Sequence, residues 1–70
     1  DLHAFLIRCD ATVKQTGLSR SRLSTILFGS GVTLDRLQGG GGVTIRVLER
    51  AIRRLDAWEK ARLERSQAAA

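Results

Sequence analysis

The glycines of this chain fall in three places, and no proline occurs anywhere. Gly17 stands alone, Gly29 and Gly31 form a pair, and Gly39 to Gly42 run together. Glycine adopts the left-handed conformation that closes a helix at no steric cost, so each group reads as a stop. The segments between the stops are short, and none alternates apolar and polar residues for long enough to make a strand. The punctuation therefore predicts an all-α, compact five-helix bundle with a long C-terminal helix. One domain is expected over residues 1–66, with residues 67–70 as a disordered or frayed tail.

Spacing places the helices between those stops. Leu2, Phe5 and Leu6 make a short amphipathic helix over Leu2 to Arg8. Asp10 suits the N-cap of a second helix from Ala11 to Thr16, with Val13 inward and Gly17 ending it. Ser19 caps a third helix running to Phe28, in which Leu23, Ile26 and Leu27 form the apolar stripe. Thr33 is expected to cap a fourth, with Leu34 and Leu37 inward. From Thr44 to about Arg65 a long helix buries Val47 or Leu48, Ala51, Ile52, Leu55 and Trp58. On its outer face, Glu49 with Arg53 and Asp56 with Lys60 stand in the favourable acidic-first order.

A chain of 70 residues buries only about 60% of its unfolded surface, which leaves a thin core and no deep catalytic cleft. Its 12 basic residues outnumber the 7 acidic ones, giving a net charge of +5, and all but Lys14 and Lys60 of the basic residues are arginine. The planar arginine fork suits phosphate and guanine edges, so nucleic acid heads the possible partners. The lone cysteine, Cys9, excludes an intramolecular disulfide, and no apolar run is long enough to span a membrane. A cytoplasmic protein is the resulting expectation. The chain opens on Asp1 instead of methionine, which leaves room for native residues before it.

Between Asp10 and Asp35 there is no carboxylate, and the window holds Lys14, Arg20 and Arg22 among serines and threonines. A helix laid into DNA must keep carboxylates from phosphates, and small hydroxyl side chains let its backbone approach base edges. With Cys9 opening a helix-turn-helix unit, Gly17 falls where the turn needs positive φ. Val13, Leu18, Leu23 and Ile26 then fall at inward positions. At these residues, and in the run from Thr16 to Gly29, the sequence resembles the lambda-repressor-like (Cro-type) helix-turn-helix family. It departs from the family pattern at Val13, where alanine is usual, at Cys9, where glutamine is frequent, and in the length of the glycine loop.

The resemblance implies a bacterial or phage-type transcriptional regulator, a repressor acting as a homodimer on a two-fold-symmetric operator in double-stranded DNA. It places Arg20, Ser21, Ser24 and Thr25 at base-reading positions. Lys14, Ser19, Arg22 and Arg46 suit the DNA backbone, the last together with amides of the glycine loop. Leu55, Trp58 and Leu63 are the residues expected at a dimer interface, because the last helix overhangs so small a bundle. No cofactor, metal site, enzymatic activity or small-molecule substrate is expected, since His3 and Cys9 are too few to build a tetrahedral site or a catalytic set. The rival reading is a protein-interaction module, an antiactivator or antitoxin that turns the same fold toward a protein partner. RNA binding is disfavoured because Phe and Trp total three.

Overall fold

The structure is a computed structural model describing residues 1–69, and Ala70 lies outside the described residues. It holds four helices, α1 (Leu2–Thr16), α2 (Arg20–Phe28), α3 (Thr33–Gln38) and α4 (Ile45–Ala69), and no strand among the described residues. Four rather than five follows from the fusion of the first two expected helices. Nothing between Leu2 and Gly17 breaks a helix, so α1 runs unbroken from its cap, where Asp1 Oδ1 accepts from the Ala4 amide at 2.8 Å. Asp10 sits within α1 instead of capping a helix, and its carboxylate turns outward to side chains on α2 and α3.

The glycine stops fall as expected. Gly17 (φ 71°) and Gly29 (φ 76°) close α1 and α2 in the left-handed conformation, each amide returning to a carbonyl four residues back. Ser19 caps α2, its Oγ accepting from the Arg22 amide at 3.1 Å. Thr44 starts α4, with Oγ1 accepting from the Val47 amide at 3.2 Å. Past the bundle α4 continues as a projecting arm, exposed from Lys60 to Ala68. At 25 residues it is about 37 Å long, close to the longest dimension of the molecule, 40 Å. The expected tail at 67–70 is thus helical as far as Ala69.

The core joins Phe5 and Cys9 of α1, Leu23 and Leu27 of α2, Leu34 of α3, and Ala51 and Leu55 of α4. Phe5 meets Phe28 edge-to-face, with centroids 6.2 Å apart. Leu55 is wholly buried within this core, so it serves the chain's own packing and not a dimer interface. Asp56 likewise leaves its expected partner Lys60 for Arg8, at 2.6 Å, and Lys60 stands 4.0 Å from Glu64.

One buried polar group organises the α2–α3 junction. Thr33 does not cap α3, whose cap position is Val32, with no side-chain bond of its own. The acceptor comes from α2: Ser24 Oγ takes the Leu34 amide at 2.9 Å and donates to the Ser30 carbonyl at 2.5 Å. Removing that hydroxyl strands a buried donor and leaves a carbonyl short of a partner, a loss of roughly 1–3 kcal/mol. Ser24→Ala is therefore expected to lower stability by about 2 kcal/mol in urea denaturation, and a change under about 0.5 kcal/mol would contradict the assignment.

Burial, with a smaller contribution from Asp10, pushes the Cys9 thiol up from 9.0 to about 11. Above pH 9 the unfolded chain gives up this proton while the folded chain holds it, so stability present below pH 9 declines as pH rises toward 11. Urea titrations at pH 8 and pH 10.5 are expected to differ by about 2 kcal/mol, and Cys9→Ala should remove the difference.

Candidate nucleic-acid interface

The way α2 is turned decides which of its side chains meet solvent. Leu23, Ser24 and Leu27 are buried, so the opposite face presents Ser21, Arg22 and Thr25. With Ser19 and the edge of Ile26 these three line an open groove of about 510 Å³. Thr25 is exposed, and its hydroxyl donates to the Ser21 carbonyl at 3.0 Å. Gly31 lies beside the same face: a Cβ there would stand 2.7 Å from Ser21 Oγ, so a side chain at this position would require the Ser21 hydroxyl to turn away.

Two residues expected to read bases do not lie on this face. Ser24 is fully buried in the junction described above and cannot reach a base edge. Arg20 extends sideways across the helix ends, with Nη1 donating to Asp10 Oδ1 at 3.0 Å and Nε to Asp35 Oδ1 at 3.2 Å. The same Asp10 oxygen accepts from Gln38 Nε2 at 2.9 Å. Arg20 thus ties α1, α2 and α3 together at the N-terminal end of α2. Its side chain is 40% exposed, so each pair contributes no more than about 1 kcal/mol.

Arg22, expected at the DNA backbone, is exposed and lines the same groove as Ser21 and Thr25. Leu23 and Leu27 of the expected stripe are buried, and Ile26 is partly buried against the same core. Lys14 is exposed in the last turn of α1, Ser19 is exposed at the α2 cap, and Arg46 is exposed in the first turn of α4. The glycine loop offers little to a phosphate. The amides of Gly39, Gly40 and Gly41 return to Asp35, Leu37 and Arg36 carbonyls, and Arg36 Nη1 donates to the Gly42 carbonyl at 3.1 Å.

Ion pairing concentrates the surplus positive charge. Asp10 and Asp35 hold Arg20, Asp56 and Glu59 hold Arg8, and Glu64 stands near Lys60. The bond to Glu59, with that to Asp56 behind it, raises the Arg8 pKa further above its ordinary value. Of the acidic side chains this leaves Asp1, which caps α1, and Glu49. Lys14, Arg22, Arg46 and Arg50 stand exposed with no carboxylate within 4.0 Å among the described residues. At the far end of α1, Trp58 and Leu63 border a second, smaller groove with Thr12, Gln15 and Thr16, and Leu63 is 59% exposed.

No protein-family model matches the chain, and neither does any curated protein or solved structure. Among the described residues no helix is long and apolar enough to cross a membrane.

The contrast between the two neighbouring arginines is measurable. Arg20→Gln is expected to lower stability by roughly 1 kcal/mol, because Asp10 and Asp35 lose a shared cation. Arg22→Gln should stay within about 0.5 kcal/mol of the parent in the same melting experiment. Equal losses would contradict the roles assigned to them.

Proposed function

We propose that this chain is a sequence-specific DNA-binding transcriptional regulator of the lambda-repressor-like helix-turn-helix type, with α1 and α2 as the unit and α2 as the helix that enters the major groove. The observation that carries the reading is the outer face of α2. It consists of Ser21, Arg22 and Thr25 beside an open groove and contains no carboxylate. A helix of that character meets phosphates without repulsion and brings hydrogen-bonding groups to base edges. Arg22 is the reader in this proposal, through a two-pronged contact to guanine, with Ser21 and Thr25 beside it. Lys14 and Ser19 contact the flanking phosphates.

The regulator acts as a homodimer, one α2 per half-site, and represses by covering a promoter. Trp58 and Leu63 on the projecting end of α4 are the contacts proposed between subunits, since Leu55 is taken up by the core.

Selection of bound duplexes from a random pool tests the proposal. The expected product is a palindrome with half-site centres about 10 base pairs apart. Binding to it should weaken steeply between 50 and 200 mM salt, as phosphate contacts of the order of six would require. On the selected site Arg22→Ala is expected to cost about 1–3 kcal/mol and to relax the preference at one base position. No enrichment, together with no binding at low salt and stoichiometric capture of a protein partner, would replace this reading with that of a protein-interaction module.

A further inference from the structure

A second basic surface lies on α4. Arg46, Arg50 and Arg54 recur at intervals of four, which sets them in one row along the helix. The row borders the buried residues Ala51 and Leu55 on one flank, and all three arginines are exposed. Glu49 lies on the other side of the row, three residues from Arg46 and four from Arg53, and among the described residues it stands within 4.0 Å of neither guanidinium; Arg53 falls off the four-residue spacing. Arg54 fixes where the row stands: its Nη1 donates to the Leu27 carbonyl at 3.1 Å, at the C-terminal end of α2. A track of three arginines therefore leads away from the end of the helix that carries Ser21, Arg22 and Thr25.

From Arg46 to Arg54 the row covers about 12 Å at 1.5 Å per residue. One strand of duplex DNA carries a charge every 3.4 Å of axis, so the row spans roughly three to four phosphate intervals of one strand, enough for each arginine to meet a separate phosphate. An intramolecular role would require carboxylates facing the row. The carboxylates of the last helix that pair, Asp56, Glu59 and Glu64, are engaged with Arg8 and Lys60 instead.

We infer that Arg46, Arg50 and Arg54 form a phosphate track that holds the DNA backbone beside the groove occupied by α2. The inference rests on the DNA-binding reading and adds to it the surface that supplies much of its sequence-independent affinity. Arg54 has a further task in holding α2 to α4, so the test uses the other two residues.

Arg46→Gln/Arg50→Gln is compared with Arg62→Gln/Arg65→Gln, on the projecting end of α4, by fluorescence anisotropy on a random duplex across a salt series. Thermal melting of each variant checks that the fold is kept. The Arg46/Arg50 variant is expected to lower the slope of log affinity against log salt by about 2, near 0.9 for each phosphate released. The loss should be the same on the selected and the random duplex, and the Arg62/Arg65 variant should keep the parent slope. If the parent binds and both double variants change the slope equally, or neither changes it, the track is wrong and the function of α2 stands. If the parent binds no duplex at low salt, the track and the DNA-binding reading fall together.

Discussion

Ser24 turns its hydroxyl into the core, where it donates to the Ser30 carbonyl and accepts from the Leu34 amide. That pair of bonds serves two helices at once. It supplies the cap that α3 lacks, and it fixes how far α2 is rotated about its own axis. Leu23 and Leu27 fill the remainder of the inward face, and Leu34 packs against them from α3. Once α2 is held in this rotation, Ser21, Arg22 and Thr25 have no other place than the outer face. A rotation by one residue would bring Ser24 to solvent and put Ile26 in place of Leu27, and the buried amide of Leu34 would lose its acceptor.

Charge is distributed with the same economy. Carboxylates gather where elements must be joined: Asp10 and Asp35 at the N-terminal end of α2, and Asp56 and Glu59 where α4 crosses α1. Each of these junctions uses one arginine, Arg20 or Arg8, and uses up two carboxylates. Among the described residues, Arg22 on the outer face of α2 and Arg46 and Arg50 on α4 are thereby left with no carboxylate within 4.0 Å. A net charge of +5 spread evenly would say little about a partner. Gathered on two adjoining surfaces, it supports a polyanion.

Much of this was legible in the residues. Glycine without proline announced helices and their ends, and Gly17, Gly29, Ser19 and Thr44 act where their chemistry suggests. The fusion of the first two helices was hidden because Asp10 has the chemistry of a cap, and only tertiary partners on α2 and α3 reveal that it acts as a bridge. Arg20 misled for the same reason. An arginine after a helix cap resembles a base reader until the two carboxylates that hold it, ten and fifteen residues away, come into view. Ser24 misled because a serine reads as polar and outward, whereas here a buried amide and carbonyl require it. Leu55 is a plain matter of depth: a helix that overhangs a bundle still has to fill the core where it crosses, and Leu55 sits at that crossing.

The account turns on which face of α2 meets DNA, and amide chemical shifts read that face directly. In a titration of isotope-labelled protein with an unlabelled duplex at low salt, Ser21, Arg22 and Thr25 should shift most. Leu23, Ser24 and Leu27 should shift little, and the Cys9 and Leu55 amides should stay in place. A response centred on Trp58 and Leu63 with α2 unmoved, or no response at all, would contradict it.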